Sequence, residues 1–475
     1  MSGSGAVEAM MTLNQAARWL PQARLLGNGA IRPMRVHTDT RSIKSGDLFV
    51  ALRGDKFDGN QFLTEARANG AVAAICESSQ LLEESGLNGL VVSDTAQALT
   101  SLACAWRGQF KLPLIAVTGS NGKTTVTQMI ASILRSHEPG FMMATEGNFN
   151  NDIGVPLTLL RLRPHHRVAV VELGMNHPGE IAHLAAMSQP TIALVNNAQR
   201  EHLEFMATVE AVARENGAVF TSMVSNAVAV FPQDDEFSGL WREIAAPRTC
   251  LTFADRQSAD VDVQCVAADW RRGAWQMQVK TPAGEIAFQL HVAGRHNVKN
   301  ALAAIACALA AGVPVAAVAA GLESFEAVKG RSRSVAGEVA NHNFMLVDDS
   351  YNANPDSVKA AIEVLATFPP PRLLVLGDMG EVGDSGPQFH AEAGALAKTA
   401  GIEGLYTLGD MSALASAEFG NGRHFRDVDR LNQALREEIK NFNSVLVKGS
   451  RFMRMERVVN TLQAGVQKKP ESACS

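Results

Sequence analysis

The sequence has no basic surplus: 43 lysine and arginine residues stand against 48 aspartate and glutamate, a formal net charge of −5. A chain that grips nucleic acid usually shows the opposite balance, which sets that class aside; small anionic ligands need only a few placed cations and stay open. Cysteine is scarce and unpatterned. The six residues Cys76, Cys104, Cys250, Cys265, Cys307 and Cys474 form no Cys-x-x-Cys pair and have no histidine at zinc-finger spacing, so they read as buried thiols in a reducing compartment. No basic stretch leads into an apolar core at Met1-Ser2-Gly3-Ser4-Gly5 and Glu8, and a secretory leader is not expected. One run, Ala301 to Leu322, has 22 residues without a charge. It is rich in alanine and cut by Gly312-Val313-Pro314, so two buried helices are expected in place of a membrane span. Internal repeats are absent too.

What is present is ordinary for globular protein: 46 % hydrophobic and 19 % charged residues, spread over 475 positions. That length exceeds one compact core, and two or three domains are expected. Short strands at Val36–Thr38, Asp47–Ala51, Ala71–Ile75 and Gly89–Val92 precede a helix at Ala96–Trp106. Strands Leu114–Thr118, Val168–Val171 and Thr191–Val195 then alternate with helices such as Ile181–Met187, the mark of a parallel, doubly wound α/β sheet. Trp275–Val279 and Ile286–Leu290 alternate apolar with polar residues around Thr281-Pro282-Ala283-Gly284, which predicts a hairpin. A further α/β unit starts near Val335, with strands Phe344–Val347, Leu373–Leu376, Leu405–Leu408 and Val445–Val447 and a helix at Asp356–Ala366. Boundaries fall near 94 and 333, and the polar tail after Gly465 is expected to fray.

Chemistry concentrates after Leu114-Ile115-Ala116-Val117-Thr118. The segment Gly119-Ser120-Asn121-Gly122-Lys123-Thr124-Thr125 follows that strand and opens a helix. Glycines let backbone N–H groups turn inward, the helix start adds positive potential, Lys123 reaches the outer phosphates and the Thr124 hydroxyl suits Mg²⁺. The spacing departs from GxxxxGK[ST], with Val117 where the first glycine would stand. Glu172 ends a buried strand, where doubly wound sheets place ligands, or else caps the next helix. His202, after Asn196-Asn197 and Glu201, is a metal ligand or a loop histidine.

These pieces resemble the Mur ligase family: the TGSNGKTT loop, Glu172-Leu173-Gly174-Met175-Asn176-His177-Pro178-Gly179-Glu180-Ile181, Asn197 with His202, and Gly294-Arg295-His296-Asn297-Val298-Lys299-Asn300-Ala301. Four further segments resemble the members that add D-alanyl-D-alanine. They are Asp39–Phe49, Asp349-Ser350-Tyr351-Asn352-Ala353-Asn354-Pro355, Leu376–Glu381 with His390, and Val447–Glu456. The resemblance runs through nearly the whole chain in order. It implies a three-domain α/β architecture with a central P-loop parallel sheet and a C-terminal Rossmann-like domain. Residues 1–94 would bind the UDP-sugar, 95–332 ATP, and 333–475 the dipeptide. It also implies a cytoplasmic ATP-dependent ligase acting on UDP-N-acetylmuramoyl-tripeptide and D-alanyl-D-alanine through an acyl phosphate. By resemblance, Glu172 and His202 hold metal with Thr124, Asn297 and Asn300 border adenine, Arg331 reaches the phosphates and Asp349 touches ribose. Read from residue type alone, Asn297 and Asn300 could cap a helix, and Arg331 could be a solvated linker charge.

For the UDP-sugar the candidates are Thr40, Arg41, Lys44, Ser45 and Asn60, where the family more often has histidine at the last position. For the dipeptide they are Tyr351, Asn352, Asn354, Lys448 and Arg451, the last two being otherwise solvated residues at a helix start. Sister ligases and folylpolyglutamate-type ligases share the loop but speak less well for the 349–355 and 447–456 segments. A P-loop GTPase or kinase would need an NKxD-type motif, which Asn196-Asn197-Ala198-Gln199 is not. Many Mur ligases carry a carbamylated lysine fourteen positions after the metal-binding histidine; here that position is Asn216. The expectation is a site without carbamate, in which Asn216 binds a second metal through its oxygen or a water, less tightly. Glu215 points about 100° away and is not expected to substitute.

Overall fold

The computed structural model describes residues 9–54, 56–256, 260–339 and 342–463; residues 1–8, the tail after Gly465 and Cys474 lie outside them. The chain builds three sheets in succession. The first is made of β1 (Arg24–Leu26), β2 (Arg35–His37), β3 (Asp47–Val50), β6 (Ala73–Cys76) and β7 (Asn88–Val91) in the order β1-β7-β6-β3-β2, with β4 (Arg53–Gly54) and β5 (Phe57–Asp58) as a separate ribbon. Its central strands β3 and β6 are almost wholly apolar and buried because both faces are covered. Phe49 and Ala74 pack with Leu63 and Leu82 on one side. Leu48, Val50 and Ile75 pack on the other, in a core that continues through Leu99 and Leu102 of the helix Thr95–Arg107 to Leu114 and Ala116. The Asp94 carboxylate caps that helix by accepting from the N–H groups of Ala96 and Gln97. Residue 94 therefore starts an element while the hydrophobic core runs across it.

The second sheet carries β8 (Leu114–Thr118), β9 (Met142–Ala144), β10 (Val168–Glu172), β11 (Ile192–Val195), β12 (Val228–Pro232), β13 (Thr249–Ala254), β14 (Val263–Arg271), β15 (Ala274–Thr281) and β16 (Gly284–Leu290). Their order is β16-β15-β14-β13-β12-β11-β8-β10-β9. Connections leave β8 toward both sides, so a switch point lies at its C-terminal end, where open α/β sheets bind ligands. Ile115 and Val117 enter one core and Leu114 and Ala116 the other. The expected hairpin is β15 and β16, but β14 adds a third antiparallel strand and fuses it to the parallel sheet. The alanine-rich run forms two helices, Arg295–Ala310 and Val315–Glu323, packed behind this sheet. Among the described residues no helix is long and apolar enough to cross a membrane.

The third sheet has β17 (Arg333–Val339), β18 (His342–Asp349), β19 (Arg372–Gly377), β20 (Gly404–Leu408), β21 (Arg423–Phe425) and β22 (Ser444–Lys448), ordered β17-β18-β22-β19-β20-β21. All are parallel except the edge strand β17. Of the cysteines, Cys76, Cys265 and Cys307 are buried as expected, whereas Cys104 and Cys250 are partly exposed.

Candidate active site

Three neighbouring strand ends assemble the phosphate site. Glu172 at the end of β10 pairs with Val117 of β8, and Val195 of β11 pairs with Thr118. The loop 119–125 thus emerges between Glu172 and the Asn196–His202 segment. Gly119 and Gly122 have φ of +130° and +83°. A Cβ on Gly122 would lie 2.5 Å from Asn300 Oδ1 and one on Gly119 3.0 Å from Asn196 N, so only glycine fits this close approach. The helix Lys123–His137 starts with no side-chain cap, leaving its first N–H groups for an anion. Lys123 Nζ donates to the carbonyls of Gly119 (2.6 Å) and Ser120 (3.0 Å) and pairs with Glu201 at 3.1 Å. These are contacts that phosphate oxygens can replace.

Glu172 does not cap the next helix. Glu215 does that, accepting from the N–H groups of Gly179 and Ile181. Glu172 is buried; Oε1 accepts from Asn150 Nδ2 at 2.7 Å, and Oε2 has no partner. Glu201, also buried, has a second unpartnered oxygen, Oε2. His202 adopts a left-handed backbone with φ of +51° and lies between two carboxylates. Its Nε2 is 3.4 Å from Glu201 Oε1 and its Nδ1 2.6 Å from Glu381 Oε2 of the third sheet's domain. Burial alone would lower the His202 pKa, but the two carboxylates outweigh it and raise it to about 9. Among the described residues no three His, Cys, Asp or Glu side chains converge as a metal cage. A divalent ion here would take one or two carboxylates and complete its shell with neighbouring side chains, phosphate and water, the usual habit of Mg²⁺. The orphaned oxygens of Glu172 and Glu201 beside the Thr124 loop fit such an ion.

Asn216 differs from expectation. It is fully buried, its Oδ1 accepts from the Thr118 hydroxyl at 2.7 Å, and its Nδ2 donates to the Val212 carbonyl at 3.0 Å. Both amide atoms serve the protein, so Asn216 braces the strand that feeds the loop and presents no oxygen to a metal.

The far wall of the cleft, about 1190 Å³ in volume, comes from the third domain and the junction before it. Arg331 stacks over the Tyr351 ring at 4.0 Å and Arg451 lies 5.6 Å from the same ring. Arg331 has no carboxylate partner among the described residues and is not a solvated linker charge. Asp349 is engaged within the protein: Oδ1 accepts from Ser332 N (2.9 Å) and Oδ2 pairs with Lys448 Nζ (2.6 Å). Lys448 is buried on that contact and on the Asn352 carbonyl, so it orients this corner and leaves Arg451 as the exposed cation. Asn354 caps the helix Pro355–Ala366, and its Nδ2 donates to Asn121 Oδ1 across the domain junction at 3.0 Å. Asn297 and Asn300 cap nothing. Asn300 accepts from Asn196 at 3.0 Å and donates to Asn297 at 2.9 Å, a chain of amides behind Gly122.

The candidates of the first domain do not line this cleft. Arg41 is exposed and forked on Asp39, Thr40 donates to Glu65, and Lys44 and Ser45 are exposed. Asn60 is buried with its amide spent on Asp58 and on the Glu77 N–H. Several site residues had no role in the sequence reading. Glu201 and Glu381 flank His202, Asn150 holds Glu172, and Arg200 forks onto Asp356 (2.7 Å) and Glu392 (3.0 Å) to join the second and third domains. Glu201 stood beside His202 in the sequence and was the findable one. The partners of Arg200 and Glu381 lie far along the chain.

The family profile of the Mur ligase middle domain matches residues 117–308, that of the Mur ligase glutamate ligase domain 330–451, and that of the Mur ligase family catalytic domain 35–107. The UDP-N-acetylmuramoyl-tripeptide–D-alanyl-D-alanine ligase of Escherichia coli K12 is 39 % identical over 432 residues, covering 90 % of this chain and 93 % of that one. The crystal structure of MurF from Acinetobacter baumannii superposes with a TM-score of 0.87 at 34 % identity, covering 96 % of this chain and 99 % of that one. MurF ligase of Thermotoga maritima in complex with ADP superposes with a TM-score of 0.77 at 27 % identity, over 91 % and 97 % of the two chains.

Proposed function

The chain belongs to the Mur ligase family, and from that premise we propose that its cleft joins D-alanyl-D-alanine to UDP-N-acetylmuramoyl-tripeptide at the expense of ATP, in peptidoglycan precursor synthesis. The observation that carries the proposal is the convergence, in one cleft, of a phosphate loop at a sheet switch point and a cation–aromatic wall from another domain. Residues 119–125 take the ATP phosphates through backbone N–H groups, and Lys123 exchanges its loop carbonyls for phosphate oxygen. Arg331, stacked on Tyr351, faces the same space. Asn297 and Asn300 hold the loop from behind, and Asp349 with Lys448 fixes the wall on which ribose and dipeptide rest.

The tripeptide carboxylate forms an O–P bond to the γ-phosphorus while the β–γ bridge breaks and ADP leaves. Lys123 and Arg331 screen the repulsion between these anions, an electrostatic contribution without covalent catalysis by the protein. The amine of D-alanyl-D-alanine then attacks the acyl carbon, loses a proton, and phosphate departs. Tyr351, Asn352 and Arg451 are the dipeptide contacts, with Arg451 suited to its carboxylate. Glu172, His202 and the Thr124 hydroxyl, with Glu201 adjoining, would hold Mg²⁺, which would supply charge neutralisation at the phosphates. Thr40, Arg41, Lys44 and Ser45 serve the UDP-sugar from residues 1–94, while 95–332 and 333–475 carry nucleotide and amine. The protein acts in the cytoplasm, where these precursors are made.

ADP release tests this reading. It should require both UDP-N-acetylmuramoyl-tripeptide and D-alanyl-D-alanine, assayed with diaminopimelate and with lysine as the third residue. Equal release when single amino acids replace the dipeptide would overturn it.

A further inference from the structure

The segment Asp378-Met379-Gly380-Glu381 and the distant His390 belong to the third domain, yet they end at a residue of the second. Glu381 Oε2 lies 2.6 Å from His202 Nδ1. The oxygen stands off the ideal N–H line, an ion-pair approach and not an aligned hydrogen bond. The histidine side chain is 10 % exposed and the glutamate 46 %. Both residues have left-handed backbones, φ +51° for His202 and +58° for Glu381. Non-glycine residues persist in that region only where their surroundings over-determine them. Here the surroundings are visible. His390 Nε2 accepts from the Met379 N–H at 2.9 Å, and its Nδ1 donates to the Gly386 carbonyl at 2.7 Å, bracketing the loop. The Asp378 carbonyl accepts from Ser450, and its carboxylate accepts from the N–H groups of Asp410, Met411 and Ser412. On the other side, Leu203 packs into the third domain's core beside His202.

An exposed ion pair would be a weak feature by itself. This one engages a buried imidazole from the side away from the phosphate loop. The other ring nitrogen, Nε2, faces Glu201, whose Oε1 pairs with Lys123. A carboxylate held against Nδ1 favours the proton on that nitrogen and leaves the Nε2 lone pair for a metal, with increased basicity. We propose that Glu381 is a positioning residue: it sets the tautomer and orientation of His202 from the neighbouring domain, so the divalent-ion site of the second domain is completed only when the third is docked. This rests on His202 being a metal ligand. The consequence is that ion binding reports the arrangement that also brings the dipeptide wall to the cleft.

The test uses the full chain with ADP and Mn²⁺ as the probe, free Mn²⁺ being read by electron paramagnetic resonance. His202→Ala should abolish or strongly weaken Mn²⁺ binding; unchanged binding would remove the metal-ligand reading itself. Given that loss, Glu381→Ala should weaken Mn²⁺ binding roughly 10–100-fold, the usual range for an outer-shell partner. Glu381→Gln, which keeps an acceptor oxygen, should lose less. In the His202→Ala background, Glu381→Ala should have no further effect. In turnover, kcat should fall while KM for D-alanyl-D-alanine stays within about twofold, which a general loosening of the junction would not produce. Arg200→Ala, which loosens that junction elsewhere, serves as the comparison. Glu381→Ala with Mn²⁺ affinity within twofold of the wild type, or an undiminished effect in the His202→Ala background, would overturn the proposal.

Discussion

Lys123 spends its three contacts on two loop carbonyls and Glu201, all of which a triphosphate can displace. Lys123→Ala should therefore cut turnover by about 10²-fold or more in a chain that still folds, checked by steady-state rates and circular dichroism. Near-normal turnover would remove the phosphate-loop assignment. His202 gives a pH prediction. With its pKa raised to about 9, the imidazole is protonated at neutral pH, and a divalent ion must expel that proton. Apparent Mn²⁺ affinity should weaken by up to about tenfold per unit as pH falls below 9 and level off above it. A flat profile between pH 7 and 9 would contradict this. Asn216 predicts a third outcome: with no lysine in its place, turnover in CO₂-free buffer should equal that with added bicarbonate, and recovery on adding bicarbonate would show a carbamate elsewhere. At this scale the sequence placed Glu172 at the end of a buried strand, where it is found. It did not reveal whether a polar residue in a motif faces ligand or protein. Asn354 meets Asn121, 233 positions away, and Lys448 meets Asp349, 99 positions away. Neither pairing leaves a local pattern.

Elements carry the next set of constraints. Strand β8 was legible because a strand covered on both faces reads as an unbroken apolar run, and the phosphate loop was legible as its continuation. Strand β14 was not. A register shift between Cys265 and Ala267 breaks its alternation and leaves Val266 exposed, so periodicity found only the two strands that follow. The ends of the helices at 96–106 and 356–366 were read to within a residue, since their caps Asp94 and Asn354 are local chemistry. Joints between domains depend on side chains far apart in sequence. Arg200 is the clearest: it forks onto Asp356 and Glu392 and lies over the Phe389 ring. Arg200→Ala removes that fork from two partly exposed carboxylates, of which Asp356 keeps the backbone N–H of residue 200, and should cost about 1 kcal/mol or less at this junction. Small-angle scattering of the variant should show a larger radius of gyration than the wild type; identical curves would mean other contacts hold the domains.

Across the whole molecule, the second and third sheets turn strand ends toward one cleft. The first two domains share a continuous core, whereas the third is joined mainly through polar contacts and the connection between Glu323 and Arg333. A junction of that kind suits a site that must open to admit ATP and the dipeptide and close to exclude water. The order of domains was readable from motif order, but which strand ends face each other was not, because only the fold sets it. The central claim is that the tripeptide carboxylate is activated as an acyl phosphate. Supplying UDP-N-acetylmuramoyl-tripeptide labelled with ¹⁸O in its terminal carboxylate, with ATP and D-alanyl-D-alanine, tests it by mass spectrometry of the released phosphate. One ¹⁸O per amide bond formed should appear in inorganic phosphate, whereas unlabelled phosphate accompanying product would show that the carboxylate never attacked the γ-phosphorus.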